Sequence, residues 1–527
     1  MSNYYWAVQY SAIQKLILRH DRLWSMAGIS RNLAYLNEVE LVDITEKHDG
    51  KVLVAGGGKF TARFANEDKA KEALRETIDT ISRRFPMLEF QASSAPIPAD
   101  DLETARAAGL INELNERKRA FRGYGLTFNP HLHLCDECSE YPATQAIHYK
   151  DHTDRLCSLC GTAKKDARHS LTALPTTEDK DLTTIEKIYK QYLGAAGSSA
   201  IEVPLDFNNL FPEDKQGERN RIAVWFSDIN SMNDKVPLWL TRPPEEEKLI
   251  NGTFAQVKQV NIDIIARALR RTFPNPRDGY LPFRIIVAGG DDLCIVMAEE
   301  YIMQFAVKLD EALHLAIVEV GRAKEHPLNP DALERARLAF NSAPQAVKTI
   351  DENKPYSFGA AFVVCSPHTP FSRIHATGEH LMGVAKKESD RYGNAVHWTV
   401  MAEEESEATR LLDFEKPVFI NKNTVKSTGA RSSQAWPRLD LVSLLELRKL
   451  YANISSSHSF QIINEMIRNK NNPTVLHRNL QFLDSAERDK DFSGLLTDPA
   501  LLDENQRISG KRLASLFELA CIKRRDS

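Results

Sequence analysis

Several things are scarce in this 527-residue chain, and each scarcity excludes a class of protein. No run of about 18 apolar residues occurs, so no segment reads as a membrane-spanning helix. The start, MSNYYWAVQYS, lacks the basic and apolar regions of a secretory signal, and the expectation is a cytoplasmic protein with no membrane partner. Cysteine is sparse at 7 residues, too few for a disulfide scaffold in a chain of this length. Glycine and proline, 24 each, are too few for a fibrous or low-complexity chain. Positive charge is not in excess either: Lys plus Arg number 68 against 72 Asp plus Glu, a net charge of -4. A free-standing nucleic-acid binder carries a basic surplus, so any contact with RNA here is local or shared with partners. What remains is a globular chain with 42% hydrophobic residues and room for about three or four domains.

The most informative feature present is an internal repeat. Residues 52–65 read VLVAGGGKFTARFA and residues 285–298 read IIVAGGDDLCIVMA. Each is an apolar β-type run, Ala-Gly-Gly, two further residues and a second strand-like run, which predicts two hairpins with glycine-rich tips. Gly56 and Gly57 match Gly289 and Gly290, whereas Gly58 and Lys59 stand where the second copy has Asp291 and Asp292. Around the second hairpin, Ile222 to Phe226 predicts a buried strand ending at Asp228, and Val260 to Thr272 a helix. A helix near Glu299 to Leu315, a strand at Gly359 to Cys365, a helix around Arg373 to Lys387 and a last strand at Asn394 to Val400 follow. Strand, helix, hairpin, helix, strand is the ferredoxin-like order. Thr183 to Glu186 reads as a capping box opening another helix. A loop-rich stretch at Asn423 to Pro437 precedes a helical part, with Leu441, Leu444, Leu445 and Leu447 on one apolar face and Leu513, Leu516, Phe517 and Ala520 on another.

Two adjacent aspartates at a hairpin tip, with a third at the end of the neighbouring strand, are what metal-assisted nucleotidyl transfer needs. Asp228, Asp291 and Asp292 suit two divalent ions about 3.5 to 4 Å apart, one activating a hydroxyl and one neutralising pyrophosphate. Hard carboxylates and phosphate oxygens select Mg²⁺ or Mn²⁺. Gly-Gly-Asp-Asp alone also makes an ordinary solvent-facing turn. The flanking strands, Asp228 and the acid-free twin hairpin favour chemistry at one tip.

These residues carry a family resemblance. Val287-Ala288-Gly289-Gly290-Asp291-Asp292-Leu293, the strand end Asp228-Ile229-Asn230, Tyr356-Ser357-Phe358-Gly359, Pro370-Phe371-Ser372 and Ala385-Lys386-Lys387 resemble the second palm domain of the large polymerase/cyclase subunit of type III CRISPR effector complexes. Ala12-Ile13-Gln14-Lys15-Leu16-Ile17, Ala27-Gly28-Ile29-Ser30 and Gly56-Gly57-Gly58 resemble elements of its first palm. The resemblance implies an enzyme that joins ATP into cyclic oligoadenylates after the complex binds target RNA. By position it implies Asp228, Asp291 and Asp292 as metal ligands and catalytic residues. Ile229, Asn230 and Ser231 would cradle phosphate beside Gly289 and Gly290, Ser357 would lie near an adenine, and Lys386 or Lys387 near a triphosphate. It implies partners as well: ATP, other subunits of the complex, and guide and target RNA held mostly by those subunits.

Members of this family often carry an N-terminal His-Asp nuclease domain, but here the first-palm strand begins within about ten residues of Met1. A His20-Asp21 dipeptide stands inside what reads as the first-palm helix without further ligands nearby, so nuclease activity is not expected. The rival readings are a non-catalytic scaffold of the guide complex and a cyclase making a different cyclic nucleotide.

Cys135, Cys138, Cys157 and Cys160 form C-x2-C-x18-C-x2-C, the spacing of a structural four-thiolate Zn²⁺ site, with His131, His133 and His152 nearby. Cys294, Cys365 and Cys521 read as core. Arg117, Lys118, Arg119 and Arg122, interleaved with Phe121 and Tyr124, are either an RNA-contacting run or a solvated helix face. The expected architecture is α+β: a degenerate first palm at 1–125, a zinc-ribbon and helical segment at 126–205, a catalytic second palm at 206–405 and a C-terminal helical domain at 406–527.

Overall fold

The computed structural model describes residues 3–116, 133–212, 220–230, 258–274, 279–321, 357–401, 418–420 and 440–445, with short interruptions inside several of these segments. Gly57, Gly290, Ser231, Ala12, Tyr356 and His131 lie outside the described residues. So do the basic run at 117–124, the loop at 423–437, Leu447, Leu513 to Ala520, Cys521 and most of 406–527.

The first half opens with strand β1 (Asn3–Tyr10), helix α1 (Ile13–Leu18) and helix α2 (Leu23–Tyr35). A π-helical segment (Leu36–Glu40) leads from α2 directly into α3 (Leu41–Lys47). Hairpin β2 (Lys51–Gly56) and β3 (Lys59–Phe64) follows, then α4 (Glu67–Arg84), β4 (Phe90–Ala92), β5 (Ile97–Ala99) and α5 (Leu102–Ala107). Asn66 caps α4, its side chain accepting from the amides of Asp68 and Lys69. The sheet order is β2-β3-β1-β4, with β5 also pairing with β1.

A small hairpin, β6 (Gln145–His148) and β7 (Thr153–Leu156), leads to α6 (Ser158–Asp166) and α7 (Thr184–Leu193). The capping box at Thr183 and Glu186 is formed as the sequence predicts. Short strand β8 (Ile201–Glu202) pairs with β10 (Gly279–Tyr280).

The second half contains β9 (Ile222–Ile229), a helix α8 over 261–272, hairpin β11 (Phe283–Gly289) and β12 (Asp292–Ala298), α9 (Ile302–Gly321), β13 (Phe358–Cys365), α10 (Phe371–Glu388), β14 (Ala395–Val400) and β15 (Val418–Phe419). Its sheet runs β11-β12-β9-β13-β14-β15. The first four strands therefore repeat the order of the first half, second–third–first–fourth, with antiparallel neighbours. This is the ferredoxin-like arrangement. The last predicted strand, β14, is an addition to that unit: it pairs parallel to β13 after the α10 crossover.

The duplication extends to an irregularity. The pairing register slips between Val52 and Val54 in β2 and between Ile285 and Val287 in β11, at matching positions of the repeat. A bulge adds local twist to a strand, so the two tips are presented by similarly bent hairpins.

Both faces of the second sheet are buried, which explains its near-continuous apolar strands. Along β9, Ile222, Val224 and Phe226 enter one core while Ala223 and Trp225 enter the other, the period-2 alternation of a strand. Trp225 packs against Phe305, Phe358 and Phe362 on its side. The opposite core is continuous with that of the first half, where Trp6 stacks on Phe60 and Phe64.

The cysteine segment packs into that same core through Cys135, Cys157, Cys160, Leu159 and Ala163. Gly28 makes this packing possible: a Cβ there would lie 2.1 Å from the carbonyl oxygen of Ala163 in α6. His20-Asp21 corrects one expectation, because it sits in the break between α1 and α2 and not within a helix. Helix α1 ends short, and Asp21 is then free to reach across the halves: its Oδ1 accepts from the amide of Phe371 at 2.9 Å. A carboxylate at the start of α10 also complements the helix dipole.

Candidate active site and metal centres

Strand pairing delivers the three acids to one place. Asp228 lies opposite Asp292 in the β9–β12 register, and Asp291 occupies the turn before β12. Each of the three offers a carboxylate oxygen, and those atoms lie within 4.8 Å of one another. The amide of Ile229 donates to the carbonyl of Asp291 at 3.2 Å, tying the strand end to the hairpin tip.

Close carboxylates in a partly buried site resist ionisation. Burial pushes Asp292 up to about 7, with Asp291 and Glu379 adding to the effect. Burial likewise raises Asp291, while Lys59, at the tip of the first hairpin, pulls it back. The acid-free twin therefore presents its lysine to the acids of the other hairpin.

Helix α10 supplies a stripe of polar groups over this strand end. Lys386 forms an ion pair with Asp228 Oδ2, and Asp228 Oδ1 is buried without a hydrogen-bond partner. Gly359, opposite Asp228 in β13, makes room for the lysine stem: a Cβ there would come 2.2 Å from Lys386 Cγ. Burial pulls Lys386 down to about 8, with Arg391 contributing. Lys387 is exposed, so of the two candidate lysines only Lys386 is at the acids. Two turns earlier on the same face stand Glu379 and, one turn further back, His375, whose Nε2 lies 3.7 Å from Glu379 Oε1.

Asn230 and Ser357 brace one another beside the acids. The amide of Asn230 donates to the Ser357 carbonyl at 2.7 Å, and its Nδ2 to Ser357 Oγ at 2.9 Å. Ser357, Asp291 and Asp292 line a small cavity of about 60 Å³, too small for a nucleotide. A larger cavity of about 740 Å³ lies between the two halves and is within the range of ligand sites. Gly56 and Gly58 border it from the first half, Gly289 and Asp292 from the second. A Cβ at Gly289 would meet nothing within 4 Å, so the backbone is open there.

The four predicted cysteines also converge. Their sulfurs lie within 4.8 Å of one another, and Cys138 and Cys157 are 3.9 Å apart. Tetrahedral zinc with Zn–S of about 2.3 Å requires sulfurs about 3.8 Å apart, so the donor set fits. His133 contacts Arg155 at 2.6 Å and His152 faces Asp154 at 3.7 Å, so both histidines are engaged elsewhere. Cys294 and Cys365 are buried core residues.

Sequence reading missed several residues lining the larger cavity: Tyr10, Asn37, Glu38 and His375. The i, i+4, i+11 spacing of His375, Glu379 and Lys386 was the one available signal; the others are brought in by tertiary packing.

No protein-family model and no curated protein matches the chain. Among solved structures, the Csm1–Csm4 cassette in complex with cA3 aligns with a TM-score of 0.50 at 13% identity, covering 99% of this chain and 70% of that one. The same cassette in complex with one ATP gives the same figures. The fold is that of Csm1. A Csm1–Csm4 subcomplex in the type III-A CRISPR-Csm interference complex also aligns, at 0.47 and 12% identity over 98% of this chain and 69% of that one. Among the described residues, no helix is long and apolar enough to cross a membrane.

Proposed function

We propose that the chain is a metal-dependent nucleotidyltransferase of the type III CRISPR kind, joining ATP through 3′–5′ linkages into cyclic oligoadenylates when its complex has bound target RNA. The observation that carries this is the convergence of Asp228, Asp291 and Asp292, the last of which borders a nucleotide-sized cavity flanked by two glycine tips. The ATP- and cA3-bound Csm1–Csm4 cassettes of the same fold support it.

In this reading the three aspartates hold Mg²⁺ or Mn²⁺, and the orphaned Asp228 Oδ1 fits a ligand atom awaiting a cation. Such ions, when bound, would acidify an attacking 3′-hydroxyl and neutralise departing pyrophosphate. The chain's own residues do the positioning. Gly289 and Gly290 let backbone approach phosphate, and the turn from Ile229 through Asn230 to Ser231 cradles it. Ser357, fixed by Asn230, lines the small cavity beside the acids, and an adenine there requires that cavity to widen. Lys386, displaced from Asp228, meets the triphosphate, and Lys59 reaches the same space from the other hairpin.

The two repeated units are read as two palms, 1–125 and 206–405, of which the second performs the chemistry. The zinc-ribbon segment, 126–205, would hold a structural Zn²⁺ through its four cysteines. A Csm4-like subunit is the expected neighbour, with guide and target RNA presented through the complex.

The test is the assembled complex incubated with ATP or each other nucleotide and Mg²⁺, with and without target RNA, and products read by mass spectrometry. Cyclic oligoadenylates that appear with target RNA and vanish in the Asp291→Ala/Asp292→Ala protein support the reading. Undiminished product from that variant, or none from the unaltered chain, sinks it.

A further inference from the structure

Helix α10 carries the polar groups that reach the acids, yet its start is not capped by its own sequence. Pro370 stands at the N-cap and makes no side-chain cap hydrogen bond, because proline has no side-chain acceptor to offer. Phe371 is buried in the core shared by the two halves. Its amide, an orphan donor of the first turn, is satisfied from the opposite half by Asp21 Oδ1 at 2.9 Å.

Asp21 is exposed in the break between α1 and α2, so its aim is set by the residues on either side. Both of them face one carboxylate. Arg22 Nε lies 3.2 Å from Glu137 Oε2 and His20 Nδ1 3.8 Å from Glu137 Oε1, with the Glu137 side chain only 3% exposed. Glu137 in turn sits between Cys135 and Cys138, inside the first cysteine knuckle. Asp136 holds that knuckle to β7: its Oδ2 accepts from the Arg155 amide at 2.6 Å, and its amide donates to the Arg155 carbonyl at 2.8 Å. Beyond Cys138, Ser139 has a φ of 54°, in the left-handed region that serine rarely adopts. A closed four-thiolate site over-determines such a turn, whereas thiols without an ion place no such constraint on it.

At the other end of α10 lies the acid site. The helix has 18 residues and is about 27 Å long. Lys386 in its last turn pairs with Asp228, and Glu379 raises the pKa of Asp292. Just past the helix the Arg391 amide donates to the Lys386 carbonyl at 3.1 Å, and Ser357 Oγ donates to the Arg391 carbonyl at 3.4 Å. A rigid helix transmits a displacement from one end to the other, so what happens at Phe371 is felt at Lys386.

We propose that Asp21 is a positioning residue for the acid site, capping α10 from the opposite half, and that the cysteine knuckle sets Asp21 through Glu137. Zinc at the four thiolates then bears on cation binding at the three aspartates. The link from knuckle to helix stands on these contacts; its effect on the acids rests on the nucleotidyl-transfer reading.

The experiment uses the full chain, unaltered, zinc-depleted, and as Asp21→Ala, Asp21→Asn and Arg22→Met. Hydrogen exchange over the first turn of α10 is read by mass spectrometry, and Mn²⁺ affinity by electron paramagnetic resonance. Exchange there should quicken about fivefold or more in Asp21→Ala, the loss of one cap, and about threefold or more in Arg22→Met and on zinc depletion, with α4 unchanged. Asp21→Asn, which keeps the Oδ1 acceptor, should restore protection. Mn²⁺ should bind about threefold more tightly in Asp21→Ala, as a loosened Lys386 releases Asp228, and the same substitution should have no effect on Mn²⁺ in a Lys386→Gln background. The Arg22 side chain is 55% exposed, so Arg22→Met carries both measurements should Asp21→Ala not fold. Unchanged exchange in zinc-replete Arg22→Met or in the zinc-depleted chain overturns the link to the knuckle. Unchanged Mn²⁺ affinity in folded Asp21→Ala, or an equal change with Lys386→Gln present, overturns the positioning role and leaves the nucleotidyl-transfer reading standing. An unaltered chain that binds no Mn²⁺ overturns that reading and the effect on the acids together, while exchange still decides the link.

Discussion

If the three acids hold a divalent cation as proposed, the Lys386 ammonium competes with it for Asp228, and replacing the lysine by Gln tests that directly. The ammonium pairs with Asp228 in the cation-free chain, where the lysine side chain is 13% and the aspartate 24% exposed. A divalent ion at the three acids must either displace that ammonium or share the site with it. Unit charges about 4 Å apart interact by about 4 kcal/mol at an effective dielectric of 20. Partial exposure and the mobility of a long side chain cut this roughly in half, leaving about 2 kcal/mol, or about thirtyfold in an equilibrium constant. Two opposite effects are therefore expected of Lys386→Gln. Without metal the protein loses about 1–3 kcal/mol of stability, because Asp228 is left beside Asp292 with no counter-ion. With metal, Mn²⁺ binds more tightly by tenfold or more in the absence of nucleotide, and the stability deficit closes. Titration by electron paramagnetic resonance reads the first quantity and thermal melts with and without Mg²⁺ read the second. Mn²⁺ affinity that is unchanged or weaker in the Gln variant refutes the argument that lysine and metal compete for Asp228.

Three further outcomes are expected of the same structure. Asp292 has its folded-state pKa raised to about 7 by burial and its acidic neighbours, so the folded chain holds a proton that the unfolded chain releases near 4. Its contribution to cation-free stability is therefore present at low pH and lost as pH rises toward 7. Mg²⁺ needs the ionised form, so the melting-temperature gain from Mg²⁺ should be larger at pH 8 than at pH 6; an equal gain at both counts against Asp292 as a ligand. Gly28→Ala places a methyl 2.1 Å from the Ala163 carbonyl oxygen, and by forcing α2 and α6 apart should cost about 1–3 kcal/mol in chemical denaturation. The cysteine cluster should yield close to one zinc per chain by elemental analysis, and Cys160→Ser should lower both zinc content and melting temperature, whereas a cysteine outside the cluster, changed as Cys365→Ala, should leave zinc content alone.

Local chemistry makes the acidic hairpin and the cysteine cluster legible in the sequence. Two hairpins with alternating apolar strands and glycine tips need only neighbouring residues to declare themselves, and both formed with the predicted pairing. Cysteine spacing is equally local, and the sulfurs converged. The capping box at Thr183 is a contact between residues three apart and was legible for the same reason. Assigning a role within a long-range cluster was harder. The resemblance placed Lys386 or Lys387 near a phosphate, but only packing against Gly359 shows that the first reaches Asp228 while the second faces solvent.

A first palm packed against its twin to complete a nucleotide pocket was expected from the resemblance, but the residues that line the cavity were not legible because none of its determinants is local. The cavity forms where α2 packs on α6 through Gly28, Asp21 reaches the start of α10, and Glu38 joins Thr184 and Lys258. Those three contacts bring the acid-free hairpin against the acidic one. This arrangement also accounts for the asymmetry of the repeat. A second set of carboxylates facing the first across one cavity would add repulsion to acids already hard to ionise, whereas Gly58 and Lys59 offer space and a positive charge there. Reversing that asymmetry, with Lys59→Asp, should therefore raise the apparent pKa of the acid cluster and weaken nucleotide binding more than it weakens Mn²⁺ binding. Nucleotide and Mn²⁺ affinities falling together would instead place Lys59 with the metal ligands, and no change in either would remove the first hairpin from the site.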